Sequence, residues 1–430
     1  MKRLVKHFAQ VVVLFGISKL IYLVLAVVMS RKLGVEGVGR YGFILAFIGL
    51  FFMGAGIGRG VAVRDFAADK NNKRTYFWNF LLLRVVMSII VFAFLVIAIN
   101  LYTTSLETRI AVYIMGLTLF FSIFSHVTTG VFYATEHFGL VLMTGLAGDV
   151  VTGGMAILFL LMGKGLLWVF IGFVLGEATS AGIGITVLYT NKHFTDLLYK
   201  YDYNRLIPPK LFRIDIALWQ RIVKQGSYFL LQSIIRLGMF QTDIIVVTFF
   251  GGAVLTGFYQ AAYKTSFSTC LLSSALVFAM YPYYASKFVN SPKLLKKNYF
   301  RVSFYNLIIA VLMYSALVLF AGVIVRYVYG SDFAPAVGVI KIIAIATILN
   351  AFNLNNSTFL NAIKKENMNT AFVLLAFIIN AVLDVVLFKP YGMKGVALAT
   401  VFCSLSYSVL STALILRETK TSVKARKTMA

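Results

Sequence analysis

The chain has 430 residues, of which 60% are hydrophobic and only 13% are charged, and its formal net charge is +25. A soluble domain is roughly half apolar and about a quarter charged, so this composition excludes an ordinary water-soluble protein. Both cysteines, Cys270 and Cys403, lie in apolar runs and indicate no disulfide framework. The four histidines lie far apart without metal-ligand spacing. We therefore expect neither a metal centre nor a bound cofactor.

Apolar runs of about 20 residues, long enough to cross the hydrocarbon core of a bilayer, recur along the whole chain. In the first half the predicted spans are 11–29, 41–63, 80–101, 110–133, 139–161 and 166–189. In the second half they are 225–250, 254–280, 302–325, 336–358, 370–388 and 395–416. The predicted fold class is all-α, a polytopic membrane protein of about twelve transmembrane helices. We divide it into an N-terminal six-helix bundle, 1–205, and a C-terminal six-helix bundle, 206–430.

The distribution of Lys and Arg predicts the orientation of these spans. With the N-terminus inside, the cytoplasmic segments contain 27 of the 40 basic residues when Arg59, at the inner end of the second span, is counted with the loop that follows it, and the opposite loops contain 8. Basic residues accumulate in cytoplasmic loops, so both termini are predicted to be cytoplasmic in a multi-pass protein of the cytoplasmic (inner) membrane. Because the charges are shared among short loops, nucleic-acid binding is not expected.

The longest predicted loop, 190–224, joins the two bundles. Leu211, Ile214, Leu218 and Ile222 recur there at helical spacing beside basic residues. This pattern predicts a helix that lies on the inner membrane surface and attracts anionic lipid. A plain tether with cytoplasmic charges is the alternative.

The two halves of the chain share a short motif, which indicates an internal repeat. Gly34, Gly39 and Tyr41 follow the first span, and equivalent residues follow the seventh span after an interval of 218 residues. Six spans per half is an even number, so the halves have the same orientation and form a parallel repeat.

The same segments resemble a known family. Residues 30–42, SRKLGVEGVGRYG, are similar to the first loop of polysaccharide repeat-unit flippases, and QTDIIVVTFFGG at 241–252 with GFYQAA at 257–262 resembles their seventh span and following loop. These are the Wzx-type members of the multidrug/oligosaccharidyl-lipid/polysaccharide (MOP) exporter superfamily. The resemblance implies translocation of undecaprenyl-pyrophosphate-linked oligosaccharide repeat units, such as those of O-antigen, from the inner to the outer leaflet. Membrane lipids and polysaccharide polymerase machinery are the further partners that it implies.

Basic residues inside the predicted spans are candidates for contact with the substrate. An ionisable group near the bilayer centre costs at least about 2.5 kcal/mol, so it is expected to face water or a partner. Lys19, Arg236 and Lys264 are therefore predicted to form a cationic site for a lipid pyrophosphate, since Arg and Lys both bind phosphate. Internal ion pairing is the alternative. Arg84 and Lys341 lie near span ends and are predicted to reach the membrane–water boundary.

Acidic and amide residues complete the predicted polar lining. The acids within the spans are Asp149, Glu177, Asp243 and Asp384. The first three are candidates for binding a coupling H⁺ or Na⁺, and pairing with basic residues explains them equally well. The residues predicted to line a wet cavity are Gln225, Gln232, Gln260, Asn350 and Asn353. Gln225, Gln232, Arg236 and Asp243 share one helix face because their spacing is seven, four and seven.

Three function classes fit these observations. We predict a flippase that works by alternating access, and therefore a transporter rather than an enzyme. An ion-coupled multidrug or small-molecule exporter of the same superfamily is the second class. A membrane enzyme of polysaccharide assembly is the third, and it is disfavoured because the sequence contains no nucleophile–base constellation.

Overall fold

The computed structural model describes residues 2–56, 73–103, 105–135, 137–192, 194, 214–268, 270, 277, 284, 292–363 and 365–427. Within these ranges every regular element is a helix. The α-helices are α1 Lys2–Ala55, α2 Lys73–Tyr102, α3 Leu106–Gly116, α4 Thr118–Ala134, α5 Phe138–Leu161, α6 Leu166–Thr190, α7 Ile216–Ser268, α8 Pro292–Ile324, α9 Ala336–Ala362, α10 Glu366–Tyr391 and α11 Met393–Lys427. A π-helical turn, Val325–Tyr329, and a 3-10 turn, Ser331–Phe333, follow α8.

The described helices confirm a polytopic all-α membrane protein. Ten segments of the described chain are long and apolar enough to cross a membrane. Eight of them coincide with single predicted spans. The other two, Ile17–Ala55 and Gln241–Phe267, each contain a kink that separates two predicted spans. Helices suit a bilayer because they satisfy every backbone polar group internally.

The kinks in α1 and α7 occur at equivalent repeat positions. Gly34 has φ 64° and ψ −169°, and Gly252 has φ 71° and ψ −176°. An L side chain rarely adopts this backbone conformation, whereas glycine adopts it readily. The near-identical angles at an interval of 218 residues show that the repeated motif encodes a repeated backbone geometry.

Long apolar side chains on the later helices remain exposed. Leu312 and Leu319 on α8 are 64% and 76% exposed, and Val382 on α10 is 56% exposed. Contiguous apolar exposure of this kind is expected of a surface that faces lipid.

The chain divides into two compact units. The first comprises Met1–Leu33 and Ile44–Ile234, and the second comprises Gly34–Phe43 and Ile235–Ala430. The segment after the first kink, 34–43, therefore packs with residues that lie more than 200 positions later. The domain boundary predicted between residues 205 and 206 stays a prediction.

The first turns of α7 belong to the first unit and pack against its other helices. The backbone N–H of Asp215 donates to Asn79 Oδ1 at 2.8 Å, and Trp219 Nε1 donates to the Asn79 carbonyl at 3.1 Å. Leu218 and Ile222 pack against a cluster of aromatic side chains from α2 and α4. Leu218 and Ile222 thus pack on protein, whereas Ile214 is 53% exposed and Leu211 lies outside the described residues; the predicted membrane-surface helix stays a prediction.

Candidate transport site

Two glycines bring the segments after the kinks into backbone contact. A Cβ added at Gly39 would lie 2.8 Å from the Gly257 nitrogen and 2.7 Å from the Ala253 carbonyl carbon. A Cβ added at Gly257 would lie 3.0 Å from the Val35 carbonyl carbon. Val35 and Ala253 are themselves repeat equivalents, so the contact is reciprocal. We call this pair, Gly39 and Gly257, the glycine crossing; small residues in such positions allow membrane helices to approach closely.

Beside the glycine crossing, a lysine lies over an aromatic ring. Lys264 Nζ is 4.7 Å from the centroid of the Tyr41 ring, within the range of a cation–π interaction. Tyr41 is buried, whereas the Lys264 side chain is exposed. Both residues belong to the second unit.

The position of Lys264 along α7 places its charge deep in a span. Lys264 follows the kink at Gly252 by 12 residues, which corresponds to about 18 Å of helix. Among the described side chains, no carboxylate lies within ion-pair distance of Lys264; the ion pairs described are Arg40–Glu36 and Lys365–Glu418. An ammonium exposed at this depth is expected to face water rather than lipid.

A second polar group in the same unit contains two carboxyl groups, which we call the carboxyl pair, Asp243 and Asp384. Both side chains are completely buried, on α7 and α10. Tyr259 OH donates to Asp243 Oδ2 at 2.6 Å, and Thr400 Oγ1 donates to the same oxygen at 2.8 Å. Asn380 Nδ2 donates to Asp384 Oδ1 at 3.0 Å. The two carboxyl groups are close enough to interact directly.

Three oxygens of this group lack a donor. Among the described atoms, none donates a hydrogen bond to Asp243 Oδ1, Asp384 Oδ2 or Asn380 Oδ1. A buried polar atom without a partner carries a desolvation penalty of about 1–3 kcal/mol, and more when it is charged. Two carboxylates this close cannot both be ionised without a compensating cation. All three candidate ligand atoms are oxygens, so they fit either a shared proton or a hard cation such as Na⁺.

The predicted acids of the first unit make hydroxyl contacts. Tyr22 OH donates to Asp149 Oδ1 at 2.9 Å, and Ser125 donates to Glu177 Oε1. Asp149 and Glu177 are both half-buried. Their predicted part in ion coupling stays a prediction.

The structure gives less information on the other predicted basic residues and on two of the predicted glutamines. Lys19 is exposed on α1. Arg236, Gln225 and Gln232 lie on α7, and their side chains fall outside the part of the chain that the structure describes. A common substrate site for Lys19, Arg236 and Lys264 therefore stays a prediction.

The predicted amide lining has two kinds of environment. Gln260 is 4% exposed and packs so closely on Gly42 that a Cβ there would lie 2.7 Å from its Cδ. Asn350 is half-buried. Asn353 is buried, and its Nδ2 donates to the Ser404 carbonyl on α11 at 2.9 Å. In this structure the Asn353 amide therefore joins two helices.

Arg84 differs from its prediction. Its side chain is 1% exposed, and Nη2 lies 2.8 Å from His126 Nδ1 on α4. The expected extension to the membrane–water boundary is wrong, because a neighbouring helix supplies a polar partner within the protein.

Sequence reasoning identified only part of the carboxyl pair's surroundings. It placed Asp243 among the ion-coupling candidates but left out Asp384, Asn380, Tyr259 and Thr400. Asn380 and Asp384 are four residues apart in the stretch 371–388 of α10, which is otherwise apolar, so they share one face. That spacing is the signal that could have found them.

Comparison with known proteins supports the fold and the family. A family model described as polysaccharide biosynthesis protein matches residues 4–288. A probable low-salt glycan biosynthesis flippase, Agl15 of Haloferax volcanii, is 23% identical over 170 residues, which cover 39% of this chain and 35% of the relative. An uncharacterized membrane protein of Methanocaldococcus jannaschii is 22% identical over 218 residues, covering 48% of this chain and 42% of that protein. Each match thus spans less than half of the relative's length.

Two solved structures share the fold at low sequence identity. An inward-facing multidrug resistance MATE family transporter of the MOP superfamily superposes with a TM-score of 0.71 and 14% identity, covering 96% of both chains. The lipid II flippase MurJ in an inward closed conformation gives a TM-score of 0.73 and 16% identity, covering 94% of this chain and 86% of MurJ. With the match over residues 4–288, the chain is a multi-pass membrane protein that belongs to the polysaccharide biosynthesis protein family.

Proposed function

We propose that the protein flips a polyprenyl-pyrophosphate-linked oligosaccharide from the inner to the outer leaflet for surface polysaccharide biosynthesis, without catalysing a chemical step. The observation that carries this proposal is Lys264, whose exposed ammonium lies deep in a span over a neutral ring. A pyrophosphate crossing a medium of low dielectric constant needs a compensating cation. Among the described side chains no carboxylate is paired with Lys264, so its N–H donors are not engaged by an acid there.

The same observation disfavours export of cationic drugs. An ammonium in the transport path repels a cationic substrate, since like charges at close range cost free energy. The fold alone does not discriminate, because MATE transporters and MurJ superpose on the chain equally well. The family match and the charge at Lys264 favour the anionic, lipid-linked substrate.

The proposed mechanism is alternating access. Two helical bundles rock about the substrate site, and the oligosaccharide head crosses while the polyprenyl tail stays in lipid. Lys264 supplies charge to the pyrophosphate, and Arg236 and Lys19 are the further predicted contributors. The direction of transport, from the inner to the outer leaflet, depends on the predicted orientation with both termini in the cytoplasm.

We also propose that the carboxyl pair binds the coupling cation, either H⁺ or Na⁺. Asp243 Oδ1, Asp384 Oδ2 and Asn380 Oδ1 are the oxygens that would hold it. Once bound, the cation supplies positive charge that neutralises the buried carboxyl pair. Tyr259 OH and Thr400 Oγ1 hold the Asp243 carboxylate in place.

The transport proposal is tested in cells that make the cognate surface polysaccharide and lack this gene. Complementation with Lys264→Gln is expected to give little surface polysaccharide at normal protein abundance, and Lys264→Arg is expected to retain part of it. Lys341→Gln is the matched control, because Lys341 is also an exposed lysine within a span. Full export by Lys264→Gln would contradict the role of this charge.

The cation proposal is tested by binding rather than transport. Na⁺, or a lower pH, is expected to raise the apparent melting temperature of the purified protein in detergent. Asp243→Asn and Asp384→Asn should abolish that shift, whereas Asp332→Asn, a change at an exposed acid, should preserve it. An unchanged shift in both pair variants would place the cation elsewhere.

A further inference from the structure

We infer that Tyr41 is a positioning residue for the pyrophosphate-binding lysine: its ring holds the Lys264 ammonium where the substrate's diphosphate must pass. This inference rests on the proposed function of Lys264 and adds a residue with no charge of its own. Tyr41 lies in the repeated motif, and its residue type alone does not indicate that it positions a lysine.

The contact is well defined on both sides. Lys264 Nζ lies 4.7 Å from the Tyr41 ring centroid, and Tyr41 is only 4% exposed. A buried ring has few alternative rotamers, whereas an exposed lysine has many. The fixed ring therefore restricts the mobile ammonium, and a pre-positioned charge loses less entropy when an anion binds.

The glycine crossing explains why Tyr41 is held so firmly. Gly39, two residues before Tyr41, contacts the backbone at Ala253 and Gly257. Gly42, the next residue after Tyr41, packs on Gln260, which lies one helical turn before Lys264. Close contacts on either side of Tyr41 thus fix the distance between its ring and the helix that carries Lys264.

An aromatic partner suits a transporter better than a carboxylate. A carboxylate would neutralise the ammonium and would have to be displaced in every transport cycle. A ring attracts the cation through its quadrupole but leaves the N–H donors on the far side available. Lys264 can therefore stay in place during binding and release of a diphosphate.

The repeat equivalent of Tyr41 has a different partner. Tyr259, which follows Tyr41 by 218 residues, donates its hydroxyl to Asp243 in the carboxyl pair. One repeat position thus contacts the candidate substrate cation through a ring face, and the other contacts the candidate ion site through a hydroxyl. Because the observed contact of Tyr41 with Lys264 is made by the ring, the inference predicts that phenylalanine can replace it in this role.

The experiment is a double-mutant cycle on the purified full-length protein. The probes are inorganic pyrophosphate and undecaprenyl diphosphate, with undecaprenol as the uncharged lipid and phosphatidylglycerol as a membrane anion. Tyr41→Leu is expected to weaken binding of both diphosphates about 3- to 10-fold, the range of a single cation–π contact. Tyr41→Phe should bind as the native protein does. In a Lys264→Gln background, Tyr41→Leu should cause no further loss.

A control variant and a series of fluorinated side chains separate an effect on the position of Lys264 from a general effect on packing. Phe43→Leu is the matched control, because Phe43 is a buried ring in the same segment and also 4% exposed; it should leave diphosphate binding unchanged. If Tyr41→Leu is too unstable to purify, phenylalanines with an increasing number of ring fluorines at position 41 keep the shape. Affinity should then fall with each fluorine, because fluorine weakens the ring quadrupole.

The outcomes distinguish the positioning role of Tyr41 from the proposed function of Lys264. Normal affinity in Tyr41→Leu together with weak affinity in Lys264→Gln overturns the positioning role and leaves the proposed function intact. Equal losses from Tyr41→Leu in both backgrounds, or no effect of fluorination, also overturn it. Normal affinity in Lys264→Gln, or binding of phosphatidylglycerol as tight as that of the diphosphates, overturns both.

Discussion

Replacement of either glycine in the crossing should destabilise the protein, and the size of the effect follows from the backbone contact. Gly39→Ala puts a Cβ 2.7 Å from the Ala253 carbonyl carbon and 2.8 Å from the Gly257 nitrogen. The Ala253 carbonyl oxygen lies closer still, and non-bonded heavy atoms are most favourable at about 3.5–4.0 Å, so the two segments would have to separate by more than about 1 Å. The obstacles are backbone atoms, which cannot move aside as a flexible side chain can.

Two opposing free-energy terms decide the result. Overpacking of this kind costs about 1–3 kcal/mol. Alanine is favoured over glycine within a helix by about 1 kcal/mol, which offsets part of that cost. Because the nearest obstacles are backbone carbonyl oxygens, the cost lies at the upper end of this range, and we expect a net loss of stability of about 2 kcal/mol for Gly39→Ala and a loss of the same order for Gly257→Ala.

The assay is the apparent melting temperature in detergent, measured as the fraction that remains monodisperse after heating. Gly182→Ala is the matched control, because Gly182 is inside α6 with no atom within 4 Å of an added Cβ. This control should be as stable as the native protein or more stable. Melting temperatures for Gly39→Ala and Gly257→Ala equal to that of Gly182→Ala would refute the crossing.

Two further predictions concern topology and the first unit. Reporter fusions after Lys200 and Ala430 should be active in the cytoplasm and a fusion after Ser331 outside it; a reversed pattern in alkaline phosphatase and fluorescent-protein activity would contradict the orientation. Arg84→Met should lower the free energy of unfolding by about 1.5–3 kcal/mol, the range for a hydrogen bond to a charged group, because it removes the contact with His126. Thermal unfolding with and without His126→Leu checks this, since the loss should shrink when the partner is already absent.

Much of the fold could be predicted from sequence because a bilayer imposes simple rules. Span length and apolar composition predicted the helices, since only helices and closed barrels satisfy their backbone in lipid. The repeat was predictable from Gly34, Gly39 and Tyr41, and the backbone geometry at the first two positions requires glycine. Helix contacts between distant segments, such as Asn79 with Asp215, have no comparable signal in a single sequence.

In the candidate site, too, some residues could be predicted from the sequence and their contacts could not. Individual charges such as Lys264 and Asp243 stand out because charge is expensive in a membrane. Their contacts do not, because the repeated motif marks Tyr41 and Tyr259 among the 23 tyrosines without indicating which side chains they contact. Asp384 was visible as an intramembrane acid, but its proximity to Asp243 depends on the packing of α10 on α7, which the sequence does not specify.

The central claim, translocation of a lipid-linked pyrophosphate substrate, is tested most directly in proteoliposomes. Purified protein is reconstituted with a fluorescent polyprenyl-pyrophosphate oligosaccharide, and the fraction accessible to a membrane-impermeant quencher is followed over time. We predict that the native protein raises the accessible fraction above that of protein-free vesicles, whereas Lys264→Gln leaves it near the protein-free level. Equal accessibility with native protein, with Lys264→Gln and without protein would contradict the proposed function.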